Sequence, residues 1–231
     1  MISKKYLDKQ YGVYGSFFKL FIMKDVYIPC RNVLEIVKND YNEYDYMNYA
    51  NYEPDIIAIM MNPGSSSPKY KSYQESSYNS NIKDIGLNDL TETIPDNTQY
   101  QIMRFMSKFN FRHARILNIS DVREPKSSVF KKKVSKTKYN NILCHSIFSD
   151  SRAEELQGLM SDKSLYLLAW GVDSKLKALA NQAYDKVKHM RTFGKLKIDN
   201  LYYHPLPQDY NKQKEWLRDI EDIIEKTGYI Q

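Results

Sequence analysis

The stretch IIAIMMNPGSSSP, Ile56 to Pro68, is an apolar run cut off at Asn62 and followed by Pro63, Gly64 and serines. An apolar run this short, bounded by turn formers, reads as a buried strand over 55–61. Proline removes a backbone donor and fixes φ, while glycine admits the left-handed region, so neither a strand nor a helix continues through them. Asn-Pro and Pro-Gly form ordinary turns. The alternative is that the strand delivers Asn62 to a place where something binds.

Around that strand the chain alternates short apolar runs with helical stripes. YGSFFKLFIM and VYIPCRNVLEIV read as strands or a hairpin ahead of it, and residues 39–53 as a polar, aromatic connection. A serine- and tyrosine-rich loop follows through about Pro95, with a turn near IGLNDL; loops this long are functional or disordered. DNTQYQIMRFMSKFN opens with capping residues and carries Ile102, Met103, Phe105, Met106 and Phe109 on one stripe. ARILNIS is a short strand ending near Asn118. Ser151 and Glu154 have capping-box spacing ahead of a helix. SLYLLAW is a strand closed by Gly171, after which Asp173 caps a helix. KIDNLYYHPLPQ is a last strand ending on His204. NKQKEWLRDIEDIIEKTG is an amphipathic helix with Trp216, Leu217, Ile220, Ile223 and Ile224 on one face and Gly228 at its end.

Strands alternating with helices predict an α/β fold, a three-layer α/β/α arrangement around a central, mostly parallel sheet. With no repeat and no linker, residues 1–231 read as one domain. Its parts are N-terminal strands and a connection (1–53), a motif-bearing core (54–210) and a C-terminal helix (211–231). In such sheets ligands sit outside the carboxyl ends of the strands. Asn62, Asn118, Gly171 and His204 all fall there.

Composition narrows the function classes. Hydrophobic residues make up 42% of the chain, enough for a folded core. No apolar stretch approaches the roughly 18–20 residues that cross a bilayer, and MISKKYLDKQYG has no apolar signal core. Cys30 and Cys144, the chain's two cysteines, form no disulfide framework and no metal motif, which points to a reducing cytoplasm. Lysine and arginine number 34 against 28 acidic residues, and the pI is near 9.0. That balance suits a polyanionic partner without requiring one. The dinucleotide fingerprint and the P-loop are both absent, which counts against NAD and ATP chemistry.

Each rim residue has a plain structural reading. Asn118 can end a strand by an Asx turn. His204, fixed in extended geometry before Pro205, can be a partly buried histidine, and Trp170-Gly171 a core indole followed by a turn. Their order is more informative. MMNPG after the first core strand, then RILNISDV, then LLAWGVDSKLKAL, then HPLP resemble the uracil-DNA glycosylase superfamily over roughly residues 54–210. The pairing of Asn-Pro-Gly with His-Pro-x-Pro is closest to its single-strand-selective, monofunctional branch. There is also a likeness to uncharacterised bacterial proteins with a Met-Asn-Pro-Ser motif and a terminal His-Pro-Leu.

The resemblance implies a uracil-DNA glycosylase-like fold and a hydrolytic enzyme without metal or cofactor. Asn62 would position water and His204 would stabilise the departing base. Asn118 would read that base with an amide that both donates and accepts. An amide takes up no proton at neutral pH, so Asn62 orients water rather than deprotonating it. Pro63, Gly64 and Ser65 would line the pocket beneath the base, and an aromatic, Tyr70, Tyr73 or Tyr78, would stack on it. Ser65, Ser66, Ser67, Lys69 and Lys71 are natural phosphate contacts, or a solvated loop. The basic run Phe130 to Lys138, with Lys131, Lys132 and Lys133, would track a DNA backbone or form an exposed loop. Pro205 and Leu206 belong to the loop that would meet DNA.

Two departures from the family pattern matter. Strict uracil enzymes carry a tyrosine where Gly64 stands, so the pocket here is open to 5-substituted pyrimidines. Leu206 replaces the usual serine, losing a phosphate contact and offering an apolar wedge, unless it belongs to the core. The expectation is a cytoplasmic, monomeric DNA glycosylase acting on uracil or a modified pyrimidine, in base-excision repair or in defence against phages with modified DNA. A binding protein of the same fold without catalysis, or a hydrolase of free nucleosides, are the rivals.

Overall fold

The computed structural model describes residues 1–39, 52–79, 89–135 and 143–230, the side chains of 133–135 and 143 excepted. The expected turn near IGLNDL and the connection over 39–53 fall largely outside those residues. A short helix α1 (Lys4–Gln10), capped by the Ser3 hydroxyl, leads into the hairpin β1 (Tyr11–Met23) and β2 (Val26–Lys38). Asp25 makes the turn with φ 61°. β3 (Ile56–Met60) follows, then two short edge strands, β4 (Ser76–Asn79) and β5 (Thr91–Glu92), both paired with β1. Next come α2 (Asn97–Phe109), β6 (His113–Asn118) and α3 (Ser127–Ser135). α4 (Ala153–Leu159), β7 (Leu165–Ala169), α5 (Lys177–Val187) and β8 (Arg191–Phe193) complete the main sheet. A small hairpin, β9 (Leu196–Ile198) and β10 (Leu201–Tyr202), and α6 (Tyr210–Thr227) end the chain.

The main sheet runs β4-β1-β2-β6-β3-β7-β8, with β5 beside β1. β6, β3, β7 and β8 are parallel neighbours, and the β1–β2 hairpin joins them antiparallel through β6. The fold is therefore α/β with a mostly parallel mixed sheet. β3 and β7 are buried along their whole length, as strands covered on both faces must be. One face packs against α1, α2 and α6 through Leu7, Phe105, Met106, Trp216 and Ile220. The other packs against α3, α4 and α5 through Phe130, Leu156, Ala180 and Val187. Among the described residues no helix is long and apolar enough to cross a membrane.

Capping is written in the side chains. Asp96 Oδ1 accepts from the Thr98 and Gln99 amides, and Gln99 Oε1 accepts from the Asp96 amide, a full capping box for α2. Asp209 caps α6, and Gly228 ends it at φ 69°. Two expectations fail. Ser151 caps nothing: it lies in a 3-10 turn, Asp150–Arg152, and its hydroxyl bonds Ser149, because the buried Arg152 side chain fixes the backbone there. The strand ending on His204 is not part of the main sheet. Its residues form the β9–β10 hairpin, tied to the sheet by the Gly171–Tyr202 bridge.

A fully buried ion cluster lies under the β6 end of the sheet. Arg152 donates through Nε and Nη2 to the two oxygens of Glu155, at 2.8 and 2.7 Å, and through Nη1 to Asp121. Asn32 donates to Glu155 Oε1 at 2.8 Å. Removing the cation strands two carboxylates in the interior. We expect Arg152→Met to destabilise the protein by about 3–5 kcal/mol, read from the urea midpoint. An unchanged midpoint would mean that the cluster contributes nothing to stability.

Candidate functional site

A cavity of ≈ 750 Å³ opens at the carboxyl ends of β6, β3 and β7. That is the size range of pockets for drug-sized ligands. Asn62, Pro63, Gly64, Ser65, Asn118, Lys131, His204 and Leu206 all line it, together with Gly171. Motifs separated by more than 140 residues of chain thus meet around one space.

Asn62 follows β3 and is held from behind. Its Nδ2 donates to the Val122 carbonyl at 3.0 Å and to the Glu124 carbonyl at 2.9 Å. Carbonyls only accept, so the orientation of the amide is determined and both N–H bonds are used. Oδ1, an acceptor, is what Asn62 offers a ligand or a water. The Ile119 and Ser120 amides donate to the Met60 and Met61 carbonyls, which locks this turn to the end of β6.

Asn118 is the last residue of β6 and is 1% exposed. Neither its Nδ2 nor its Oδ1 has a hydrogen-bond partner within the protein. Leaving a buried polar group unpaired costs about 1–3 kcal/mol. No Asx turn uses this side chain, so the plain reading of Asn118 fails.

His204 stands two residues beyond β10. The Leu206 amide donates to its Nδ1 at 3.2 Å, so Nδ1 is the acceptor and Nε2 carries the proton. Desolvation in the cavity wall, helped by the Lys131 charge, lowers its pKa from 6.5 to about 4. The ring is therefore neutral at physiological pH and donates through Nε2–H. Two indoles hold the hairpin that presents it: Trp170 donates to the Asn200 carbonyl at 2.9 Å and Trp216 to the Tyr203 carbonyl at 3.1 Å. Leu206 belongs to neither core cluster and faces the cavity. Pro205 beside it is buried.

Gly64 has φ 62°, a conformation that costs a side-chain-bearing residue roughly 1–2 kcal/mol. A Cβ there would meet nothing nearer than Asp96 Oδ2 at 3.9 Å. The glycine thus meets a backbone requirement and leaves the space in front of it open.

Other expected contacts fall elsewhere. Ser66 is 1% exposed with its hydroxyl buried behind the loop, so it is no surface phosphate contact. Tyr73 is no stacking platform either: its hydroxyl donates to the Asp89 carbonyl at 3.0 Å and its ring meets Phe17 edge-on. Tyr78 packs edge-on against Phe18 in the core. Tyr70 is exposed, outside the cavity, with the Lys69 ammonium over its ring. Lys69 is paired with Glu92, and Lys71 is exposed on the same loop. As far as Ser135 the basic run is helix α3 rather than a loop, and residues 136–138 lie outside the described ones: Phe130 is core, Lys131 pairs with Asp173 at 3.4 Å at the cavity wall, and Lys132 is exposed. Lys133 is in the helix, its side chain outside the described residues.

Sequence reasoning missed Arg31 and Asp96 as cavity residues. Asp96 was legible only as a helix cap. Arg31 had one signal, a lone cation inside an apolar strand. Among the described residues no group of three or more His, Cys, Asp or Glu side chains is placed to hold a metal ion.

The histidine assignment is measurable. Because the folded protein resists protonating His204, stability is lost as the pH falls from 6.5 towards 4. We expect the His204 ring to titrate near pH 4 by two-dimensional NMR, as the Nε2–H tautomer. His204→Gln should lose less stability than the native chain over the same pH interval. Titration at pH 6.5 would remove the neutral-donor assignment.

Comparisons with protein-family models, with curated proteins and with solved structures return no match.

Proposed function

We propose that this protein is a monofunctional DNA glycosylase of the uracil-DNA glycosylase type, hydrolysing the bond between a flipped pyrimidine and its deoxyribose. The observation that carries the reading is the buried, unpartnered amide of Asn118, in one cavity with Asn62 and His204. An amide offers one acceptor and two donors, the match for a pyrimidine edge carrying an N–H beside a carbonyl. A flipped base would complete the hydrogen bonds that the protein itself leaves unmade.

Chemistry follows from the other two side chains. As the C1′–N1 bond breaks, its electron pair leaves with the base, and negative charge grows on the base carbonyl. The neutral His204 donates its Nε2–H to that oxygen, where one donor is worth about 3–4 kcal/mol. Asn62 Oδ1 accepts from a water on the sugar side, and that water's oxygen forms the new bond to C1′ while its proton passes to solvent. No lysine forms an imine in this scheme, so the product is an abasic site and the strand stays intact.

One observation favours a second reading, a hydrolase of free nucleosides. Ser66 is buried and Lys69 is neutralised by Glu92, which thins the expected set of phosphate contacts. Binding to single-stranded oligonucleotides that weakens steeply with salt supports the first reading; salt-independent binding supports the second.

The decisive assay is base release from oligonucleotides carrying uracil, hydroxymethyluracil, hydroxymethylcytosine or glucosylated hydroxymethylcytosine, with alkali revealing abasic sites. Cleavage is expected on at least one, lowered roughly 10²–10³-fold in His204→Ala. No abasic sites on any of them, with the protein folded, would end the glycosylase reading. Gly64→Tyr should fill the open space, keeping any uracil release and losing release of larger bases. Its cost should be roughly 1–2 kcal/mol of stability, since the φ is left-handed. Undiminished release of a larger base would show that Gly64 does not set its access.

A further inference from the structure

Arg31, on β2, is 2% exposed and lines the cavity, yet its Nε and Nη1 have no hydrogen-bond partner. Desolvation lowers its pKa only to about 10, so it stays a cation. A buried guanidinium with idle donors is expensive. Nearby chain could have satisfied it, as Arg152 is satisfied by Asp121 and Glu155. Arg31 lines the cavity at the carboxyl ends of the strands, where rearrangement around a ligand could engage those donors.

The charges around it indicate which ligand. Asp96 and Asp121 both act on Arg31, and Arg123 opposes them while itself bonded to Glu75 and the Ser66 carbonyl. The Asp96 and Asp121 carboxylates thus already offset part of its charge. Helix α2 ends at the same wall, but the Asp96 carboxylate occupies its N-terminus through the Thr98 and Gln99 amides. A phosphate or carboxylate would meet Asp96 across the cavity. Asp96 Oδ2 remains as an acceptor beside Gly64. Idle donors from Arg31 and an acceptor from Asp96 match a hydroxyl, which accepts through oxygen and donates through hydrogen. The volume of ≈ 750 Å³ exceeds what a bare pyrimidine fills.

We propose that Arg31 and Asp96 form a subsite for a neutral, multiply hydroxylated, sugar-like group carried by the bound ligand. This rests on the pyrimidine reading of the cavity only for where the ring sits; the hydroxyl preference comes from Arg31 and Asp96 themselves.

The test is equilibrium binding, without turnover, of three probes: 2′-deoxycytidine, its 5-glucosyloxymethyl derivative and its 5-carboxy derivative. Calorimetry on the intact chain should show the glucosylated probe binding more tightly than the other two by roughly ten- to hundredfold, the worth of one hydrogen bond to a charged group. Arg31→Met, which conserves volume and removes the buried charge, should abolish that preference and raise the melting temperature. Asp96→Asn keeps the helix cap, replaces the acceptor by a donor and should weaken the glucosylated probe alone.

A tighter carboxylated probe would overturn the subsite in favour of an anion site. No preference, or an unchanged preference in Arg31→Met, would also overturn it. A lower melting temperature in Arg31→Met with no change in binding would show Arg31 to be structural. The two proposals fail separately. Preference for the glucosylated probe without base release from any oligonucleotide leaves the subsite standing and ends the glycosylase reading. Uracil release without the preference does the reverse.

Discussion

The site hangs on the buried contact between Arg152 and Asp121. Asp121 lies in the turn after β6, and Arg152 holds it through the same guanidinium that grips Glu155. That turn supplies the Val122 and Glu124 carbonyls that orient Asn62, and the Asp121 carbonyl that receives the Arg31 amide. An ion pair sealed from water thus anchors the turn that sets the direction of the Asn62 side chain. Buried pairs add little net stability over apolar packing. What this one contributes is position.

A second support is independent of the first. His204 comes from the β9–β10 hairpin, held by two tryptophan N–H groups and one backbone bridge. Trp216 is a core residue of α6 by its burial, and a site residue by what its nitrogen holds. Its apolar body and its single donor serve both ends at once.

The central strands were readable because β3 and β7 are buried on both faces and so lose all polar alternation. α2 and α6 were readable because each carries an apolar stripe and because Asp96 and Gly228 mark an end chemically; Asn110 and Asp209 mark the other ends in the structure. β4, β5 and β8 were not: each is two to four residues long and exists only through a partner distant in sequence. The rim residues Asn62, Asn118 and His204 were legible because a turn former or a strand end flags them. Arg31 was hidden, since its meaning lies in bonds it does not make, and no spacing encodes a missing partner. Ser66 and Tyr73 misled for the converse reason. Residue type suggested exposure and stacking, while packing put the Ser66 hydroxyl inside and the Tyr73 ring against Phe17 of β1.

The hairpin's separateness from the main sheet also bears on how such a chain can change over generations. Asn118 and Arg31 stand on β6 and β2, strands of the main sheet that carry the core. His204 follows an appended hairpin, joined to the sheet by one backbone bridge and held by the indole N–H groups of Trp170 and Trp216. A descendant that exchanged His204 would keep the cavity walls that the main sheet supplies. Under the proposed function, the histidine is therefore more exposed to mutation than the pocket, and a lineage of this fold would shed turnover before it shed its cavity.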